Sequence, residues 1–184
     1  MSATRFLRKM RRHILAGLAL SISAGCIIAR PMNDVGPIRD RTDAGQGMIV
    51  GHLVYPGHEI QGILLYEDGT SYFGMEPRAP RAHVYPNGDF VFEGLKPVAY
   101  RILLFYSGGI TYAVMTHETK DDPGHRYEVR PGAITYVGSY VFGDYQIISR
   151  VERPGLREIL QGLLPLTRGT YWEGAIRQRL AAAR

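Results

Sequence analysis

Cysteine is almost missing from this chain of 184 residues: Cys26 stands alone. No disulfide can close within the chain, so any folded body must be held by burial of its apolar side chains. Long hydrophobic runs are also lacking. The uncharged stretch 14–29 is only moderately apolar and falls short of the roughly twenty residues a spanning helix needs. Acidic residues are absent from positions 1–25, which hold Arg5, Arg8, Lys9, Arg11 and Arg12. Those five cations account for the whole formal charge of +5, because the remaining chain balances 17 basic against 17 acidic residues. The pI near 9.4 therefore reports on the N-terminus and does not imply a nucleic-acid partner. No zinc-finger, KH or RNP-like pattern argues otherwise. Also missing are G-x-S-x-G, the P-loop, G-x-G-x-x-G and H-E-x-x-H, so no hydrolase or nucleotide-binding motif is present.

What is there begins with an address. A basic n-region, an apolar h-region from Ile14 and small residues before Cys26 are the parts of a secretory signal. The segment Ile22, Ser23, Ala24, Gly25, Cys26 resembles the lipobox of bacterial lipoproteins, with Ser23 where an aliphatic residue is usual. The resemblance implies cleavage after 25 and acylation of Cys26, which would then head the mature chain. An uncleaved membrane anchor and a plain secretory signal are the alternatives, and Arg11-Arg12 faintly matches a twin-arginine signal. Acylation would supply an anchor of two or more fatty chains, enough for stable attachment. It would also consume the only thiol and so exclude a cysteine nucleophile. Ile27 after the cysteine, with no acidic residue there, gives a mild preference for the outer membrane.

Positions 26–46 carry Pro31, Gly36, Pro37, Gly45 and several Asp and Arg with little apolar periodicity, which predicts a flexible tether. From 47 to 152 the signals are almost all β. Eleven of the twelve tyrosines fall between Tyr55 and Tyr145, and aromatic and β-branched residues favour strands. Turn pairs such as Pro56-Gly57, Asn87-Gly88 and Pro131-Gly132 separate expected strands at 48–55, 62–66, 82–85, 89–92, 98–106, 111–116, 126–129, 134–142 and 146–151. Asn87-Gly88 is the strongest hairpin signal among them. The expected fold is mainly β, an antiparallel Ig- or transthyretin-like β-sandwich with two short C-terminal α-helices.

Those helices are read from 153–184. Leu156, Ile159, Leu160, Leu163 and Leu164 form one apolar stripe, and Thr170-x-x-Glu173 is a capping box ahead of Trp172, Ile176 and Leu180. This segment carries six Arg against two Glu, whereas 26–152 is acidic by four charges. Two placements follow: across an acidic face of its own domain, or against lipid or lipopolysaccharide phosphates.

The stretch from Asn87 to Ile102 resembles the signature of carboxypeptidase regulatory-like (transthyretin-like) domains. Gly88, Phe90, Phe92, Leu95, Pro97, Tyr100 and Ile102 fill its positions; Asn87 stands for an aspartate and Val98 for a glycine. The resemblance implies a small accessory or binding module without chemistry of its own.

Candidate site residues are therefore few. Cys26 is the lipidation site. Tyr66, Tyr72, Phe73, Tyr85 and Tyr106 are candidate interaction residues, since aromatic side chains anchor interfaces or stack on sugars. His117, Asp121, Asp122 and His125 lie in one loop whose imidazole and oxygen donors suit a weak divalent-metal site. His125-x-x-Glu128 matches a metallocarboxypeptidase spacing, but residues three apart on a strand face opposite ways. The expected function is that of a lipid-anchored, non-enzymatic envelope protein contacting a protein partner. The alternative is a glycan- or peptidoglycan-binding module. No cofactor is expected.

Overall fold

The computed structural model describes residues 36–69, 79–113, 126–143 and 148–182. The described residues are mainly β, with two sheets and two short helices. The strands are β1 (Gly47–Val54), β2 (Ile60–Glu67), β3 (His83–Val84), β4 (Asp89–Leu95), β5 (Ala99–Ser107), β6 (Ile110–Ala113), β7 (Tyr127–Glu128), β8 (Ile134–Phe142) and β9 (Ile148–Val151). Helices α1 (Leu156–Leu163) and α2 (Tyr171–Ala182) follow, joined by a 3-10 turn at Leu164–Thr167. One sheet runs β3-β4-β1-β8-β9; the other runs β2-β5-β6, with β7 also paired to β5.

One pairing departs from the expected antiparallel sandwich. β1 and β8 run parallel, Met48 opposite Ile134 and Val54 opposite Val141. The cause is where each strand is entered. The Pro131-Gly132 turn delivers β8 beside the start of β1, with Gly132 N–H bound to Gln46 O at 2.9 Å and Met48 N–H to Ala133 O at 3.0 Å. Strands entered from the same end must point the same way.

Both faces of β1 are buried. Ile49 and Leu53 look one way, into a cluster with Phe90, Phe92 and Val137 of their own sheet and Ile63, Leu65 and Phe105 of the other. Phe105 of β5 meets Phe142 of β8 edge-on at 4.7 Å, so aromatic contact joins the two sheets. Gly51 is required here: a Cβ would overlap the Phe90 ring tip and lie 2.6 Å from Val137 Cγ2. Met48 and Val50 look the other way, into a second cluster completed by Ile159, Leu160 and Leu163 of α1 and Trp172 and Ile176 of α2. The helices thus form a packed layer on the outer face of the five-stranded sheet, along the apolar stripes their sequence carries.

Two local expectations are corrected. The segment 36–46 is not a free tether. Ile38 is 2% exposed within the second cluster, its N–H bound to Leu166 O at 3.0 Å. Asp40 Oδ1 accepts the Tyr171 N–H at 2.9 Å. One isoleucine placed over the Trp172 layer supplies the burial that the segment's polar composition hid. Thr170 does not cap in the expected manner either: its hydroxyl donates to Thr167 O at 2.7 Å. The Glu173 carboxylate accepts from Gly169 N–H at 2.9 Å, so the acid still satisfies the helix start, one residue earlier than the capping box implies.

Candidate functional site

At its far end β1 leaves Val54 and turns through Pro56-Gly57, where Gly57 has φ +78° and His58 N–H returns to Tyr55 O at 2.9 Å. The turn stacks the His58 ring on Tyr55, with centroids 4.1 Å apart and planes at 26°. Facing it is the hairpin between β3 and β4. Its Asn87-Gly88 corner is closed by Tyr85 N–H to Asp89 O at 2.8 Å, and Gly88 has φ +90°. Gly88 admits no side chain, since a Cβ would lie 2.7 Å from Val54 Cγ1 and 2.8 Å from Leu53 O. Between the two turns lies a cleft of about 270 Å³. Leu53, Ile60 and Val84 line its apolar floor, and Tyr55, His58 and Glu59 carry its polar groups. This is a small concave surface that suits a single side chain or ring better than an extended ligand.

Behind the cleft wall sits a buried polar cluster. His52 Nδ1 and Asp89 Oδ1 are 2.8 Å apart, at 8% and 4% exposure, and Asn87 Nδ2 donates to Asp89 Oδ2 at 2.7 Å. The pairing of His52 with Asp89 on β4 and with Ser139 on β8 sets acid, imidazole and hydroxyl abreast on three neighbouring strands. They do not form a nucleophilic set. Ser139 is fully buried and its hydroxyl donates to the Pro154 carbonyl, while Tyr136 Oη lies 3.1 Å from Ser139 Oγ and donates to that carbonyl at 3.2 Å. Helix α1 roofs the acid, a Cβ on Gly162 falling 3.5 Å from Asp89 Oδ2. A nucleophile needs a free hydroxyl within reach of its base and of substrate; here the hydroxyl is bound elsewhere and closed to solvent. The cluster's work is mutual satisfaction of buried polar groups.

The sequence candidates fare unevenly. Cys26, Tyr72, Phe73, His117, Asp121, Asp122 and His125 lie outside the described residues. Tyr66 and Tyr85, offered as exposed aromatics, are buried at 6% and 7%. Tyr85 nevertheless lines the cleft between the two turns, whereas Tyr66 does not. Tyr106 is half-buried on β5. Burial, with the Glu93 charge adding to it, pushes the Tyr85 phenol up to about 12. Its hydroxyl has no hydrogen-bond partner among the described residues. Tyr55 and His58 were not singled out; an aromatic and an imidazole flanking a Pro-Gly pair were the signal that could have found them. Among the described residues no group of three or more His, Cys, Asp or Glu could hold a metal ion. At the other end of β2, Asp68 takes 2.8 Å hydrogen bonds from Arg101 and Arg126, which hold its carboxyl below the usual range.

Comparison with family models, curated proteins and solved structures finds no match to this chain.

Proposed function

We propose that this chain is a lipid-anchored, non-enzymatic module of the bacterial cell envelope, attached through acylated Cys26 on the outer membrane. Its two sheets, on this reading, form a transthyretin-like β-sandwich that presents a cleft to a protein partner. The observation that carries the reading is the separation of ends along β1. The chain arriving from Cys26 joins the domain at Ile38, and Arg39, Asp40 and Gln46 tie the segment to Glu93, Tyr171 and Gly132 around the start of β1. The cleft opens beyond Val54, eight residues on. At about 3.3 Å per residue that is roughly 25 Å. A domain held at one end offers the other to whatever approaches. Among the described residues no helix is long and apolar enough to cross a membrane. The closed arrangement around Ser139 supports a binding role over a hydrolytic one.

Two measurements test the proposal. Mass spectrometry of the mature protein is expected to find acylated Cys26 as the first residue; a retained Met1 with a free thiol refutes the anchor. A photo-crosslinking residue at His58 is expected to capture one defined envelope protein, and capture to fall when Tyr55 is changed to Ala. Retention on cell-wall sacculi without a protein adduct favours the glycan-binding alternative instead.

A further inference from the structure

Both walls of the cleft are held from behind. On one side the Tyr55 ring meets Phe142 edge-on at 4.9 Å and Phe105 at 6.3 Å, so it rests on the inter-sheet core. His58 stacks on that ring and is exposed beyond the stack. On the other side Asn87 clamps the hairpin: its Oδ1 accepts the Asp89 N–H at 3.1 Å, and its Nδ2 donates to Asp89 Oδ2 at 2.7 Å. Walls fixed in this way need little ordering when a ligand enters, and ordering is one of the main costs of binding.

The lining is one-sided in charge. Among the described residues around the cleft Glu59 carries a carboxylate, and there is no lysine or arginine. Glu59 follows His58 directly, and both line the cleft, over a floor of buried Leu53, Ile60 and Val84. The acid does not stand alone in sign, since 26–152 is acidic by four charges.

We propose that the cleft takes an arginine side chain presented by the protein partner. The inference rests on the partner-binding reading above and adds to it the chemistry of the contact. Arginine has the three parts this surface asks for. Its methylene stem can lie on an apolar floor. Its planar guanidinium stacks on a ring such as His58. Its fixed charge and forked N–H donors match a carboxylate such as Glu59. A volume of about 270 Å³ admits one such side chain and excludes a helix. Lysine keeps the stem and the charge without the plane, citrulline keeps the stem and the plane without the charge, and norleucine keeps the stem alone.

The test titrates the full chain, in detergent micelles with labelled Ile, Leu and Val methyls and His rings, with four blocked amino acids. These are the Nα-acetyl amides of arginine, citrulline, lysine and norleucine, followed by NMR. The arginine probe is expected to shift the signals of Leu53, Ile60, Val84 and His58 saturably, and several-fold more tightly than the other three. Ile159 and Leu163, in the other cluster, should not move. Glu59→Gln, a change at an exposed position, should bring arginine down to the level of citrulline, and high salt should weaken it likewise. Equal binding of all four probes, or no shift at these residues with any of them, overturns the inference. Crosslinking from His58 separates it from the reading beneath it. One partner captured equally by wild type and Glu59→Gln overturns the arginine contact and leaves partner binding intact; arginine binding with no partner captured does the reverse.

Discussion

Ile38→Ala is the sharpest test of where the folded body begins. Ile38 is 2% exposed among Trp172, Ile176 and Leu166, yet its neighbours Arg39 and Asp40 read as polar linker. The substitution deletes three buried carbons, worth about 0.8 kcal/mol each by transfer, or about 2.4 kcal/mol. A cavity term brings the expected loss to about 3 kcal/mol, within the usual range for buried Ile→Ala changes. The backbone bond from Ile38 N–H to Leu166 O survives, so the change isolates the side chain. Ile110, 57% exposed on β6, is the internal control: Ile110→Ala makes the same chemical deletion from a solvated position. Urea unfolding followed by circular dichroism should place Ile38→Ala well below wild type and Ile110→Ala within about 0.5 kcal/mol of it. Limited proteolysis should cut near 39–41 faster in Ile38→Ala alone. Equal midpoints for the two variants would refute the claim that 36–46 is part of the packed body.

Gly51→Ala forces a methyl against Phe90 and Val137 in the inter-sheet core and should cost about 2 kcal/mol or more, read as a lowered melting temperature. Asp89→Ala leaves the buried His52 ring without its partner, whereas exposed Asn87 turns to water, and should destabilise by about 2 kcal/mol in urea. Asp89→Asn retains one acceptor and should cost clearly less. Tyr85→Phe removes a hydroxyl with no hydrogen-bond partner among the described residues, so at neutral pH it should leave stability unchanged or slightly raised. In alkali the sign is fixed by the raised phenol. With a folded value of about 12 against 10 unfolded, the stabilisation is whole below pH 10 and lost as pH rises from 10 toward 12. Tyr85→Phe should flatten that part of the decline in a melting-temperature series, and an identical slope in both proteins would count against the burial argument.

Most strands were legible because turn chemistry brackets them. Asn87-Gly88 closes the β3–β4 hairpin, Pro131-Gly132 opens β8, and the leucine stripe from Leu156 forms α1. The parallel pairing of β1 with β8 was not legible, since alternation fixes which way side chains face but not which distant strand lies beside them. Ile38 was hidden for a different reason: one apolar residue among Gly36, Pro37, Arg39 and Asp40 has no period to detect. The burial of Tyr66 and Tyr85 was not legible because tyrosine composition counts rings without saying which faces are covered. The cleft itself was missed because it is made by two turns, 55–58 and 85–88, distant in sequence and brought together where Leu53 N–H bonds Gly88 O and Val54 packs on Gly88.

The buried His52–Asp89 pair follows from the same covering of both faces. A sheet with one wet face can send every polar residue outward; β1 cannot, because inter-sheet side chains fill one face and α1 with α2 the other. A strand in that position should read as a near-continuous apolar run, and 48–54 does so except at His52. An unpaired imidazole there would cost the desolvation of its ring nitrogens, so Asp89 stands at the register position opposite and Asn87 saturates the remaining carboxylate oxygen. The helical layer is therefore a condition of the sheet's composition rather than an appendage. Removing α1 would wet Met48 and Val50 as well as the His52–Asp89 pair, which is why the folded unit has to run from Ile38 through Ile176.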